Sequence, residues 1–320
     1  QIPIGLLSDR YGRRPVFIMG MLLFTLLSIL SVFASDIHQL LVVRFLQGIA
    51  GTVGPVVARA VARDTHQGKA LDHIMAILVT SLAAGAMIAP ILGTVIVVAF
   101  GWKAPLVLNV IIGIVATLLL VSSLPESHQP NRHLHPWLQT RQSAQIFFKS
   151  SQAVWSSFIV SFTFFAYFSI ATGLGSVLVD YYGYSANTVG WGFALAVSFY
   201  MASAQLCRLR IRHHTPLTLM TNGGYLYVAA TTIGILFLVL LGAGIWLPVW
   251  ALYGLLTVFL FGMGHTFAPA SAMTMEPIGK IAGFGASMLG TLQMGLGTLG
   301  ATLTAMFYHQ SPASLIGVMT

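Results

Sequence analysis

The chain has 320 residues, 57% of them hydrophobic and only 7% charged, with a mean hydropathy of +0.86. Soluble globular domains carry about 25% charged residues, so the composition excludes that class and indicates an integral membrane protein. The net charge of +8 does not indicate a nucleic-acid-binding protein, because the Lys and Arg residues are scattered between apolar segments instead of covering one face. The single cysteine, Cys207, excludes an intramolecular disulfide and a cysteine-built zinc cluster.

Apolar segments of about 20 residues, long enough to cross a bilayer as helices, recur along the whole chain. They predict an all-α membrane protein with about nine complete spans and partial spans at residues 1–7 and 313–320. We interpret the sequence as a fragment that begins within one helix and ends within another. The predicted complete spans are Pro15 to Ala34, Leu40 to Ala62, His73 to Phe100, Ala104 to Leu124, Ala153 to Val179, Ala186 to Leu206, Leu217 to Leu241, Leu247 to Thr274 and Ile281 to Tyr308.

The positive charges predict which loops are cytoplasmic. Consecutive loops alternate between the two sides of the membrane, and short loops rich in Lys and Arg stay in the cytoplasm. The loops on the side of Asp9, together with the span ends next to them, carry thirteen of the 15 Lys and Arg residues, the opposite loops carry only Lys103, and Arg44 lies deeper within a span. The side of Asp9 is therefore predicted to be cytoplasmic.

The longest interruption between spans, Pro125 to Ser151, is rich in proline and polar residues. It separates four complete spans from five, which predicts an N-terminal helical half (1–124), a cytoplasmic linker (125–151) and a C-terminal helical half (152–320). Histidines in this linker are compatible with metal binding, but their composition alone does not define a site, and no metal or cofactor is predicted. These histidines are His128, His133 and His135.

The most informative motif lies just before the first complete span, where residues 5–15 read Gly-Leu-Leu-Ser-Asp-Arg-Tyr-Gly-Arg-Arg-Pro. Topology alone requires basic residues in this loop, but not the frame of glycines around an Asp-Arg pair. The frame resembles motif A of the major facilitator superfamily, the cytoplasmic loop between helices 2 and 3 of those transporters. The matching residues are Gly5, Asp9, Arg10, Gly12, Arg13 and Arg14.

The resemblance to motif A implies a fold of twelve helices in two six-helix halves related by an internal repeat. It also implies that Asp9 caps the helix beginning near Ile281 and that the arginines close a cytoplasmic latch, with Asp64 as a second acid. Asp9 and Arg13 are spaced i, i+4 and can pair if the loop is helical. On this reading helix 1 and most of helix 12 are outside the sequence.

A second motif places an arginine inside a span, in the run Arg44-Phe-Leu-Gln47-Gly48. An arginine in the hydrocarbon costs about 2.5 kcal/mol or more on insertion scales, which favours a position facing a cavity or a partner. Snorkelling to the interface is the alternative, because Arg44 lies only about two turns from the outer end of its span. The run resembles motif B of helix 4, and the resemblance implies that Arg44 takes part in proton coupling with groups of helix 1.

A third motif resembles the antiporter-associated motif C of helix 5, with Gly85, Ala89, Pro90 and Gly93 at the matching positions. Small residues four apart also suit ordinary close helix packing, so the spacing alone does not decide between the two. Gly295, Gly297 and Gly300 follow no strand and are interpreted as a packing face, not as a nucleotide-binding loop. Isolated polar residues within spans either line a cavity or bond to a neighbouring helix, namely Asn109, His265 and Gln293.

Further local patterns narrow the resemblance to the Bcr/CflA drug:proton antiporters, which include bicyclomycin and chloramphenicol exporters. These patterns are Arg63-Asp64, Ala89-Pro90-Ile-Leu-Gly93, Ala270-Ser-Ala-Met and Ala282-Gly283-x-Gly-Ala286-Ser287. The resemblance implies a monomer that exports drugs or other small molecules across the bacterial inner membrane in exchange for protons, by alternating access. Its partners are the small-molecule substrate, protons and the lipid bilayer, without nucleic acid.

Three alternatives to drug export remain. An uptake symporter or facilitator for a small metabolite would share the same fold, whereas a channel would show currents that exceed the turnover of a carrier. An enzyme is not expected, because neither His-Glu-x-x-His nor Gly-x-Ser-x-Gly occurs. The resemblance implies an acidic proton carrier in helix 1, which on this reading lies outside the sequence.

Overall fold

A computed structural model of the chain describes residues 1–67, 70, 74, 77–78, 81, 85, 88–89, 92–93, 95–127, 136–211 and 213–320. Within these residues every regular element is a helix. The chain divides into two compact units, Gln1–Gln142 and Ser143–Thr320, which we call the N-terminal and C-terminal units. Each unit is described by itself below.

The N-terminal unit is built from α1 (Ile2–Tyr11), α2 (Arg13–Val32), α3 (Ile37–Gly51), α4 (Val53–Thr65) and α5 (Ala104–Ser123). Only Thr52 separates α3 from α4, so together they form one membrane-length segment, Ile37–Thr65. Asp36 begins α3 by accepting a hydrogen bond from the backbone N–H of Gln39 at 2.8 Å, which satisfies one of the free donors at the helix start.

Small residues let the helices of the N-terminal unit approach closely. A Cβ atom at Gly20 on α2 would lie 2.5 Å from Val53 of α4, and one at Gly113 on α5 would lie 2.6 Å from Thr25 of α2. Membrane helices associate through such small-residue contacts, because lipid offers no hydrophobic driving force between them. Gly20 and Gly113 therefore fix α2 between α4 and α5.

Helix α6 (Pro136–Lys149) lies within the predicted linker and crosses the boundary between the units. The C-terminal unit continues with α7 (Ser151–Ser176), a π-helical turn (Val177–Tyr181), α8 (Ala186–Arg210), α9 (Pro216–Gly242), α10 (Val249–Met275), a 3₁₀ turn (Glu276–Ile281), α11 (Ala282–Met306) and α12 (Ala313–Met319). Its core lies between α7, α9, α10 and α12, where fully buried aliphatic side chains meet, among them Ile170, Leu174, Leu252, Leu256, Leu315 and Ile316.

Helix α11 packs along α7 through two of the glycines that the sequence analysis interprets as a packing face. A Cβ atom at Gly297 would lie 2.9 Å from the ring of Phe168, and one at Gly300 would lie 2.2 Å from the carbonyl oxygen of Phe165. No described atom lies within 4 Å of a Cβ at Gly295. The contact therefore uses Gly297 and Gly300.

Seven helical segments in the described part of the chain are long and apolar enough to cross a membrane, and each overlaps a predicted span. The predicted span His73 to Phe100 lies largely outside the described residues. Helix α11 forms over most of Ile281 to Tyr308, but it is not among the seven. Its glycines, threonines and Gln293 lower its hydropathy below that of the other spans.

Candidate functional site

Arg13, the first residue of α2, is the centre of the motif A cluster. Its side chain is only 8% exposed and donates from Nε to Oδ2 of Asp64 at 2.8 Å. Its Nη1 donates to Oγ of Ser8 at 2.7 Å and also pairs with the carboxylate of Asp9. A buried arginine is stable only when its donors are satisfied by acceptors such as these. Arg13 thus ties the end of α1 and the end of α4 to the start of α2.

The helix break between Asp9 and Arg13 occurs at Gly12, which has φ of 100°. Only glycine adopts this backbone region without strain. The reversal brings the side chains on either side of the break together, so that the i, i+4 pair forms between two helices instead of along one. The two glycines of the motif differ in this respect, because Gly5 lies inside α1.

The two other arginines of motif A lie apart from this cluster. Arg10 is exposed and its guanidinium lies 5.5 Å from the ring centre of Tyr11. Arg14 extends from α2 to the end of α5, where Nη2 donates to the carbonyl oxygen of Val121 at 2.9 Å. The capping of the helix near Ile281 by Asp9 would connect the two units and stays a prediction.

Motif B forms a hydrogen-bonded chain between α3 and α2. Arg44 donates from Nη1 to Oε1 of Gln47 at 2.9 Å, and Gln47 donates from Nε2 to Oγ of Ser28 at 2.7 Å. Gln47 and Ser28 are buried, whereas Arg44 is exposed. The partner of Arg44 in the described residues is thus a neutral amide one helical turn away, and its role in proton coupling stays a prediction.

The structure describes few contacts of the motif C residues. Pro90 lies outside the described residues, while Ala89 is exposed. A Cβ atom at Gly85, Gly93 or, in motif B, Gly48 would meet no described atom within 4 Å. Close packing at motif C is therefore not seen in the described part of the N-terminal unit, and its function as an antiporter motif stays a prediction.

The three isolated polar residues differ in their surroundings. His265 on α10 is 3% exposed and lies against α8, where its Nδ1 is 2.7 Å from Oγ of Ser203. The Ser203 hydroxyl also lies within hydrogen-bond distance of the carbonyl oxygen of Phe261, and with its proton assigned to that carbonyl, Nδ1 of His265 is the donor to Ser203. His265 therefore bonds to a neighbouring helix, which was the alternative to cavity lining. Asn109 is half-buried on α5, and Gln293 is buried on α11.

Sequence reasoning missed three residues that complete these clusters: Ser8, Ser28 and Glu126. Serines are common within membrane helices, so Ser28 is not singled out, and Ser8 fills an unspecified position of the motif A frame, between Leu7 and Asp9. Glu126 carried a clearer signal, because it is one of only seven acidic residues in the chain and follows directly on the end of a span. The predicted linker histidines His128, His133 and His135 lie outside the described residues, and the described residues contain no cluster of metal-binding side chains.

The seven helical segments in the described part of the chain that are long and apolar enough to cross a membrane indicate a polytopic membrane protein. The chain belongs to the Major Facilitator Superfamily, whose family model matches residues 1–302. The resemblance read from the sequence, the fold class and the assignment to transporters instead of enzymes are thereby confirmed. A multi-pass location in the bacterial inner membrane agrees with the seven apolar helices and with the bacterial origin of the relatives.

Two relatives align over nearly the whole chain. Multidrug resistance protein D of Escherichia coli strain K12 is 27% identical over 332 residues, which cover 100% of this chain and 79% of that protein. A bicyclomycin resistance protein homolog of Haemophilus influenzae is 23% identical over 324 residues, covering 98% and 78% of the two chains. These names agree with the narrower resemblance to the Bcr/CflA group.

Solved structures support the fold alone, because their sequence identity is low. A bacterial homolog of the human lysosomal transporter Spinster, in an inward-facing and occupied conformation, has a TM-score of 0.71 at 14% identity, covering 95% of this chain and 69% of that one. The xylose transporter XylE of E. coli, in a partially occluded inward-open conformation, has a TM-score of 0.67 at 13% identity, covering 99% and 81%.

Proposed function

We propose that this chain belongs to an exporter that moves drugs or other small lipophilic molecules out of the bacterial cytoplasm in exchange for protons, by alternating access. The observation that carries the proposal is the pair of relatives named for multidrug and bicyclomycin resistance, each of which aligns with at least 98% of the chain. An inner-membrane transporter confers resistance by lowering the drug concentration in the cytoplasm.

The geometry of motif A supports a transport cycle with a closed cytoplasmic side. Arg13 is bound by the carboxylates of Asp9 and Asp64, so α1, α2 and α4 are joined at their cytoplasmic ends. Asp9 remains 44% exposed and can receive a further partner, such as the positive end of a helix dipole. In alternating access this partner would be bound in one state and released in the other.

Motif B supports a role in coupling. Arg44 lies within the predicted span Leu40 to Ala62, about two turns from its outer end, and its hydrogen bond to Gln47 uses one guanidinium nitrogen, so other donors can bind a second partner. A carboxylate on another helix would bind there while ionised and would be released on protonation. Exchange of that proton for a drug would couple export to the proton gradient.

The test is drug movement in inverted membrane vesicles that contain the complete protein. With an acidic lumen, an antiporter accumulates a lipophilic cation such as ethidium, and each addition of drug releases protons that a fluorescent pH probe records. Nigericin, which collapses the pH gradient, is the control and should abolish accumulation. Uptake of a metabolite into whole cells together with protons, without drug accumulation in vesicles, would instead establish the symporter of the same fold and overturn the proposal.

A further inference from the structure

The carboxylate of Glu126 lies on the N-terminus of α2. Its Oε1 accepts from the backbone N–H of Arg13 at 2.9 Å, and its Oε2 accepts from the backbone N–H of Arg14 at 3.1 Å. These are the first two N–H groups of the helix, which have no acceptor within it. A carboxylate at this end is also stabilised by the helix dipole. Glu126 therefore caps a helix that lies more than a hundred residues earlier in the chain.

The C-terminal end of α5 is capped by a residue of α2. The guanidinium of Arg14 donates to the carbonyl oxygen of Val121 in the last turn of α5. Cations stabilise the C-terminus of a helix for the same reason that anions stabilise its N-terminus. Glu126, which follows α5, thus places a negative charge at the start of α2, and Arg14 of α2 places a positive charge at the end of α5.

Gly12 makes room for this carboxylate. A Cβ atom at Gly12 would lie 2.7 Å from Oε2 and 3.1 Å from Cδ of Glu126. A side chain at position 12 is thus disfavoured twice, by the positive φ of the backbone and by the glutamate. The second reason disappears if Glu126 is removed.

We infer that Glu126 is a positioning residue of the transport cycle, which fastens the start of the linker to the motif A cluster. Arg13 donates its backbone N–H to Glu126 and binds Asp9 and Asp64 with its side chain. The backbone and the side chain of one arginine are therefore held by carboxylates from α1, α4 and the linker. This inference rests on the proposed function for its transport readout, but not for its structural readout.

The far end of the linker is also attached. Phe147 on α6 is fully buried against Ala153, Ile278 and Phe284 of the C-terminal unit, with the two phenyl centres 6.3 Å apart. Glu126 and Phe147 are thus each bound to helices of their own unit, and a movement of those helices carries the attached residue with it. Releasing the Glu126 end should therefore slow the conformational step and leave drug binding unchanged.

The transport test compares Glu126→Gln with the matched control Glu276→Gln in the complete protein. Glu276 is exposed, and its carboxylate accepts a hydrogen bond from the side chain of Gln152, away from the motif A cluster. An amide keeps the size of the side chain but loses the charge and one of the two acceptor oxygens. We expect the maximal efflux rate per folded transporter to fall roughly tenfold, as for loss of a hydrogen bond to a charged group, with the KM for drug unchanged. Glu276→Gln should transport like the wild type.

A purely structural role would lower the amount of folded protein but leave the rate per folded molecule at the wild-type value, and that result would overturn the inference. A rise of similar size in the KM for drug, without a fall in the maximal rate, would also overturn the inference, because that result would place Glu126 in drug binding. These results require a wild type that transports drug. If the wild type transports none, the proposed function fails instead, and the following readout still decides the geometry.

The structural readout is a double-variant cycle on purified protein. Gly12→Ala should lower the midpoint of thermal unfolding, and Glu126→Ala should lower it less. The double variant should lower the midpoint by less than the sum of the two single-variant shifts. The reason is that the methyl group of Ala at position 12 no longer meets a carboxylate. Strictly additive shifts would show that Gly12 does not accommodate Glu126 and would overturn the inference regardless of transport.

Discussion

Arg13 and Asp64, which are 51 residues apart in the chain, meet where α2 begins and α4 ends, with Nε and Oδ2 separated by 2.8 Å. The guanidinium is almost fully buried, while the carboxylate is 21% exposed. Removing one partner of such a pair costs more than the pair contributes, because the remaining charge is left without a partner in a place that water reaches poorly. The two acids that bind Arg13 should therefore differ in effect.

The first prediction concerns this difference. Asp64→Asn should lower the free energy of unfolding by about 1–3 kcal/mol, as for loss of a hydrogen bond between charged groups. Asp9→Asn should lower it less, because Asp9 is 44% exposed and water replaces its contact with Arg13. Asp9→Asn should nevertheless impair efflux several-fold if Asp9 also closes the latch. The measurements are thermal unfolding in detergent and ethidium efflux.

The matched control for both variants is Arg63→Gln, which removes an exposed charge next to Asp64. It should leave stability and efflux close to the wild-type values. Wild-type efflux by Asp9→Asn in the complete protein would contradict the latch. Greater destabilisation by Asp9→Asn than by Asp64→Asn would contradict the assignment of the buried partner.

The motif A cluster also illustrates what can be predicted from a sequence. The spacing of Asp9 and Arg13 predicts that they can pair, whereas Asp64 is expected only from the resemblance to motif A; the structure places both acids on Arg13. Glu126 was not predicted: its place just after a span distinguishes it, but its partners are backbone N–H groups, which every helix start presents, so the sequence does not indicate which helix it caps. Spans, by contrast, are predictable from the sequence, because the length of an apolar segment is a local property.

Side-chain partners between spans are less predictable than the spans themselves. His265 and Gln47 could each face a cavity or a neighbouring helix, and the choice depends on which small or polar residue lies opposite. Ser203 and Ser28 provide acceptors at those positions, and nothing in the local sequence of α8 or α2 indicates that they will be opposite. The alternative between helix packing and a functional role stays open for motif C for the same reason.

The second prediction concerns the contact between α7 and α11. Gly300→Ala should lower the free energy of unfolding by about 1–3 kcal/mol, because the new methyl group would force two backbones apart. The atom that it would meet is the carbonyl oxygen of Phe165, which cannot rotate away as a side chain can. Gly295→Ala is the matched control, five residues earlier on α11, where the Cβ position is open.

Because alanine favours a helix over glycine by about 0.5–1 kcal/mol, Gly295→Ala should be neutral or slightly stabilising. The midpoint of thermal unfolding of both variants is measured, with size-exclusion chromatography as the readout. If the two alanines shift the midpoint equally, helix propensity dominates and the close approach of α7 and α11 is wrong.

The third prediction concerns Ser203, which accepts a hydrogen bond from the buried His265. Ser203→Ala should destabilise the protein by about 1 kcal/mol, the usual size of a hydrogen bond between membrane helices. The loss is limited because Nδ1 of His265 also lies 3.2 Å from the carbonyl oxygen of Phe261. Ser198→Ala on the same helix is the control, since Ser198 is exposed and bonds only within α8. Equal midpoints for Ser203→Ala and the wild type would contradict the bond.

The last prediction concerns Arg44, whose side chain is exposed and bound to Gln47 through one guanidinium nitrogen. If Arg44 links proton occupancy to drug movement, Arg44→Ala should abolish efflux driven by a pH gradient. Arg44→Lys should keep partial function, because lysine retains the charge but not the planar fork that binds an amide and a carboxylate at once.

A snorkelling arginine would behave differently, because lysine reaches the interface equally well and alanine inserts readily into a bilayer. Both variants would then transport normally. Gln47→Leu provides the matched comparison, since it removes the neutral partner of Arg44 and keeps the charge, so it should weaken coupling less than Arg44→Ala. Ethidium accumulation in inverted vesicles with an acidic lumen, normalised to the amount of folded transporter, orders the three variants. Normal gradient-driven accumulation by Arg44→Ala would eliminate the coupling role and leave Arg44 as an interfacial residue.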